Sequence, residues 1–147
     1  MLEVKKNNVG ALISIQPYWV FLIIANTMGW DIGKIKTIEV RKSYPKNKNW
    51  NKVAKICCSK NKASFAKIPK EYHPLMERFL GKVIGEFVCD SIISHCEMAN
   101  ADIAEQQGCI KRENLLEYSN GKELYGWHIS DLVIYDSRRS WEILNLA

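Results

Sequence analysis

One run constrains this chain more than any other: Gly33-Lys34-Ile35-Lys36-Thr37-Ile38-Glu39-Val40-Arg41-Lys42. Its β-branched residues read as a strand over Ile35 to Lys42. Yet that strand carries a Lys, a Glu and an Arg, and charges of both signs are an odd filling for a strand of a small protein. On an ideal strand Glu39 and Arg41 share a face, whereas Lys36, three residues from Glu39, points the other way. For Lys36 to join Glu39 it has to sit in the turn before the strand, or a bulge has to intervene. Two readings stay open. The charges form a ladder on a solvated face, or they line a cleft. In a cleft, Lys and Arg hold an anion while Glu orients a base edge or activates water.

The run also opens the most basic part of the chain. From Lys34 to Lys70 there are twelve Lys/Arg and a single acid, Glu39. That segment carries +11 against +5 for the whole chain, so the remainder carries −6. Segregated positive charge points to an anionic partner, and Lys42, Lys46, Lys48 and Lys52 are candidate phosphate contacts.

At 147 residues the chain reads as one domain over 10–147 with a flexible tail over 1–9. The apolar run Tyr18 to Ala25 is too short to span a bilayer, and no membrane association is expected. Nothing at the N-terminus reads as a signal peptide, so a cytoplasmic location is expected. The five cysteines form no C-x-x-C and read as reduced thiols. Cys57, Cys58, Cys89 and Cys109 read as buried, with Cys96 the one expected to react. His95-Cys96 has no second pair at ligand spacing, so neither a metal nor any other cofactor is expected.

Along the chain, Ala11 to Gln16 alternates as a strand, and Pro17 suits the first turn of a buried helix reaching Thr27. Tyr44 to Asn51 reads as a loop, Val53 to Ser59 as a strand and Lys60 to Glu71 as a basic linker. Pro74 to Leu80 reads as a short helix and Lys82 to Ile93 as a long strand. Ala99 to Gln107 and Glu113 to Ser119 read as surface helices, followed by an Asn120-Gly121 turn. Leu124 to Asp136 reads as two strand segments hinged near Ser130-Asp131, and Ser137 to Leu146 as a terminal helix. Scattered strands that outnumber long helices favour an α+β domain with a mostly antiparallel, barrel-like sheet.

In Tyr125-Gly126-Trp127-His128-Ile129-Ser130-Asp131, the residues Tyr125, Trp127 and Ile129 share a face. Trp127 is either core packing or a stacking platform for a nucleobase. His128 is either a hydrogen-bonded structural residue or a catalyst. No P-loop, nucleophile elbow, dinucleotide fingerprint or zinc signature is present.

Four blocks stand in order: Leu12-Ile13-Ser14-Ile15-Gln16-Pro17, Lys36-Thr37-Ile38-Glu39-Val40-Arg41-Lys42, Gly81-Lys82-Val83-Ile84-Gly85-Glu86-Phe87 and Tyr125-Gly126-Trp127-His128-Ile129-Ser130-Asp131-Leu132. In these the chain resembles the ASCH (activating signal cointegrator homology) domain of the PUA-like superfamily. It looks closest to the small stand-alone type of bacteria and phages. The resemblance runs from Ala11 to Asp136 and implies a PUA-like, mostly antiparallel β-barrel with flanking helices. It also implies a cleft beside the Lys-x-x-Glu-x-Arg strand. Family members are proposed to bind RNA or nucleotides. Some similar proteins are described as ribonucleases, and a smaller relative is an amidohydrolase acting on N4-acetylcytidine. That amidohydrolase has a nucleophilic Thr in the place of Glu39. The family also has a Gly two residues before its Lys, whereas here Gly33 lies one place further back, so the turn before Lys36 is one residue longer.

The expected function is RNA or nucleotide binding in a basic cleft. Lys36, Glu39 and Arg41 form one wall, and Trp127 and His128 are candidates for the other. The alternative is a hydrolase, either a ribonuclease or an amidohydrolase of a modified nucleoside, with Glu39 as general base and Lys36 as the electrostatic group. A third reading is an adaptor that binds protein through the acidic remainder.

Overall fold

The computed structural model describes residues 9–47 and 49–135. The N-terminal tail before Val9, Lys48 and the helix expected from Ser137 to Leu146 lie outside the described residues. Strand β1 (Val9–Ile15) leads directly into helix α1 (Pro17–Ile24), with Pro17 in the first turn where its missing N–H costs nothing. Strand β2 (Ile38–Arg41) is shorter than the sequence run that contains it, and Lys36 lies before its first residue. Strand β3 (Trp50–Cys58) follows, then α2 (Lys62–Ala66), a single 3₁₀ turn (Lys70–Tyr72) and α3 (His73–Glu77). The long strand β4 (Val83–Ile93), helices α4 (Ala101–Gly108) and α5 (Arg112–Ser119), and strand β5 (Tyr125–Ile134) complete the order.

The described strands form one curled, half-barrel sheet in the order β1-β3-β4-β5-β2, giving an α+β fold. The β3–β4, β4–β5 and β5–β2 pairings are antiparallel, while β1 runs parallel to β3. The expected hinge in the last strand is a register shift. Val88 pairs with Ser130 and Glu86 with Val133, and Asp131 takes a positive φ of 49° to absorb the extra residue. Gly85 sits where a Cβ would run into the Val133 carbonyl, so the close approach of β4 and β5 requires glycine.

Two cores hold the sheet. The larger packs α1 against β1, β3 and β4 through Val20, Phe21, Ile24, Ile56 and Phe87. The smaller joins the other face of β2 to α4 and α5 through Ile38, Val40, Ala104 and Leu115.

The basic segment read as a linker is helical instead. Asn61 caps α2 by accepting from the Ser64 N–H at 2.8 Å, and the Ser64 hydroxyl accepts from the Tyr18 N–H at 2.9 Å. Ile68 and Met76 then bury this segment against the larger core. The cysteine reading also needs correction. Cys96 is buried in the smaller core, whereas Cys57 and Cys109 are half-buried; all five thiols are free. Burial raises the pKa of Cys96, so this thiol is protected rather than reactive.

Candidate functional site

In an open half-barrel the two edge strands face each other across a seam. Here those strands are β1 and β2, and a cleft of about 800 Å³ lies along the seam, lined from both. Ser14 and Ile15 come from β1, Trp19 from α1, and Glu39 and Arg41 from β2. The far wall is α5, which supplies Asn114, Glu117 and Tyr118. These positions stand at i, i+3 and i+4, one face of the helix. Lys67, just past α2, completes the rim with Lys42.

The floor is an ionic cluster. Because Lys36 precedes the strand, its stem reaches Glu39, with Nζ 3.6 Å from Oε1. Arg41 Nη1 donates to Glu39 Oε2 at 3.3 Å and, across the seam, to the Ser14 carbonyl at 3.3 Å. Lys36 Nζ also donates to the Gly108 carbonyl at the end of α4 at 2.6 Å and lies 4.8 Å from the Trp19 ring centroid. A second clamp between the same elements runs from the Thr37 N–H to the Gln107 carbonyl at 2.8 Å. Lys36 therefore ties α4 to the entrance of β2 and takes the negative end of that helix. It is 4% exposed and Glu39 is 6% exposed. Burial lowers the Lys36 pKa below the usual lysine range and outweighs the Glu39 carboxylate, which works in the opposite direction.

Of the residues nominated from the sequence, Lys36, Glu39, Arg41 and Lys42 converge on the cleft. Lys42 lies over the Tyr118 ring at 4.7 Å. Lys46 and Lys52 are exposed but are not among the cleft residues.

Trp127 and His128 do not form the opposite wall. Trp127 is directly across from Glu39 on β5, so both point to the same face, but one strand further into the sheet that face is covered. The indole is buried in the larger core, 5.6 Å from Trp50, and its N–H donates to the Ser43 carbonyl at 3.1 Å. His128 faces away, its Nδ1 2.6 Å from Asp90 Oδ1 at the surface. That contact, first among the causes, lowers the Asp90 pKa.

Sequence reasoning missed Trp19, Lys67, Asn114, Glu117 and Tyr118. The helical spacing of the last three was legible, but nothing local tells where α5 docks. Trp19 sits inside an apolar run and reads as core. Among the described residues no group of His, Cys, Asp and Glu is arranged to hold a metal ion. None of the described helices is long and apolar enough to cross a membrane.

The cleft thus presents four cations, two carboxylates and two aromatic rings. Such a mixture suits a compact ligand with both an anionic group and hydrogen-bonding edges better than a uniform polyanion.

No protein-family model matches the chain, and no curated protein matches it significantly. Solved structures do. The ASCH protein of Zymomonas mobilis aligns at 14% identity and a TM-score of 0.54, covering 93% of this chain and 94% of that one. Two single-substitution variants of the same protein align at TM-scores of 0.56 and 0.55, also at 14% identity, covering 93% of this chain and 97% and 95% of theirs. The resemblance carried by four short sequence blocks is therefore matched in three dimensions over nearly the whole chain: this protein has the fold of an ASCH domain.

Proposed function

We propose that this protein binds RNA, or a free nucleotide, in the seam cleft. One observation carries the reading. A cluster of buried Lys36 and Glu39 with half-buried Arg41 forms the floor of a cleft rimmed by the exposed cations Lys42 and Lys67, with the rings of Trp19 and Tyr118 in its walls. The rim cations suit phosphate, the rings suit bases, and the fixed floor preorganises both. Lys36 itself is saturated by Gly108, Glu39 and the Trp19 ring, which makes it a strut of the cleft rather than a phosphate contact.

A hydrolase is the second reading. It is favoured by the lowered Lys36 pKa beside a carboxylate inside a cleft, a combination common at catalytic sites. The adaptor reading has no support from the cleft.

The test is a fluorescence titration of a short single-stranded RNA across a salt series. Each phosphate contact contributes roughly 0.7 to the log–log slope. Lys42→Gln with Lys67→Gln should flatten the slope by about 1.4 if both residues contact phosphate. Lys46→Gln with Lys52→Gln tests whether the phosphate track continues beyond the cleft. An unchanged slope in the first double variant overturns the placement of RNA in the seam. Product formation on prolonged incubation, abolished by Glu39→Gln, decides for the hydrolase.

A further inference from the structure

We infer that the cleft is built to read a guanine base, with Glu117 and Asn114 on α5 as the specificity-determining residues. This rests on the nucleotide reading above and goes further by naming the base and the wall that selects it.

The argument starts from what is already satisfied. Lys36, Glu39 and Arg41 are bound to one another and to the Gly108 and Ser14 carbonyls, and Lys42 is laid over Tyr118. The side chains of Asn114 and Glu117 make no hydrogen bond or ion pair among the described residues, and neither does that of Lys67. All three line the cleft. They are among the polar groups that a ligand can satisfy without breaking the floor, together with Gln16 and Asn120. Asn114 and Glu117 are one helical turn apart on the same face, with Tyr118 beside them, so they form one continuous reading edge.

Their chemistry selects among bases. A carboxylate only accepts, and two adjacent N–H donors fill its two oxygens, while a carboxamide both donates and accepts. The Watson–Crick edge of guanine presents N2–H and N1–H side by side, followed by the O6 acceptor. Glu117 can take the two donors and the Asn114 amide can donate to O6. Every other common base sets a lone pair against the carboxylate. Cytosine presents N3 and O2, adenine presents N1, and uracil flanks its single N–H with two carbonyls. The face of the Tyr118 ring not taken by Lys42 lies next to this edge as a stacking surface, and Lys67, on the rim, remains for the phosphate.

The experiment uses the full chain and mononucleotides, with affinities measured by calorimetry. Guanosine monophosphate should bind roughly tenfold or more tightly than inosine monophosphate, which differs only in lacking the N2 amino group. Adenosine, cytidine and uridine monophosphates should bind more weakly still. Glu117→Gln should erase the guanosine-over-inosine preference, whereas Glu113→Gln, in the first turn of the same helix and outside the cleft, should keep it. Both positions are exposed, and melting curves should confirm that both variants fold.

Equal binding of all five mononucleotides overturns the inference, as does a guanine preference that survives Glu117→Gln. Binding of RNA without binding of any mononucleotide overturns it too, while leaving the RNA reading standing. Binding of neither overturns both.

Discussion

Strands β2 and β5 are hydrogen-bonded neighbours, and the sequence marks both for function, yet the fold uses them in opposite ways. In register, Glu39 lies opposite Trp127 and Ile38 opposite His128. On β2 the ionisable side chain is the one turned inward: Glu39 is buried and paired on two sides. On β5 the same face carries a buried tryptophan, and the ionisable His128 sits at the surface with Asp90. Alternation alone does not explain this, because Glu39 and Trp127 share a face. Position in the sheet does. The edge strand borders the open seam, so its inward residues line a cleft. One strand further in, the same face is closed over by the larger core. A half-barrel thus makes a site from a strand that a closed barrel would have to fill with apolar residues.

The largest expected effect comes from the β5 side. Trp127→Ala removes a core indole packed on Trp50 and leaves the Ser43 carbonyl without its donor. It should cost roughly 3–5 kcal/mol, read from denaturant unfolding. A loss below about 1 kcal/mol would mean that Trp127 is not core, and the contrast between the strands would collapse.

Next comes Glu39→Gln, which keeps the shape and removes the charge from the floor. Breaking a buried pair outright costs about 3–5 kcal/mol; a glutamine keeps some hydrogen bonds, so roughly 2–3 kcal/mol is expected. The deficit should also depend on pH. The folded-state pKa of Lys36 is below its unfolded value, so at pH below both values both states carry the ammonium and the fold bears its burial. As pH rises toward the ordinary lysine value of 10.5, the native state gives up the proton first, and the folded form gains stability relative to the unfolded one. A neutral Lys36 needs no counter-charge, so the Glu39→Gln deficit should shrink as pH rises toward the ordinary lysine value. A deficit constant with pH would show that Glu39 acts by shape rather than by charge.

What the sequence showed of this arrangement follows a physical divide. Features written in local chemistry were legible. Pro17 marked a helix start, Asn120-Gly121 a turn that takes positive φ at both residues, and Ser130-Asp131 the irregularity in β5. The Lys36–Glu39 geometry was legible in part: parity left a preceding turn or a bulge as the ways for Lys36 to join Glu39, and the strand starts at Ile38, which makes it the turn. Features decided by distant partners were not. Nothing in Ala11 to Gln16 says that its strand runs parallel to β3, or that it faces β2 across a seam. Nothing in Glu113 to Ser119 says that this helix walls the cleft. Trp127 carried the stronger local signal for stacking, yet Trp19 and Tyr118 occupy the cleft, because burial is set by the sheet order and not by the neighbouring glycine.

The smallest effect should come from the second charged pair. His128 and Asp90 are both substantially exposed, and solvent screens what they exchange. At neutral pH, His128→Gln should shift the melting temperature far less than either buried substitution, and RNA affinity should not change, because His128 does not line the cleft. The contribution that does exist has a defined pH window. The carboxyl of Asp90 is held below its ordinary value of 3.8, chiefly by the hydrogen bond from His128. A depressed acid stabilises the fold above its unfolded pKa, and that stabilisation is lost as pH falls through the folded value. His128→Gln should therefore flatten the acid limb of the stability curve below about pH 4 while leaving the alkaline limb in place. If His128→Gln instead abolishes RNA binding in a protein that melts normally, the ligand runs from the seam across β5. Function would then belong to both strands, and the division between edge and interior would have to be redrawn.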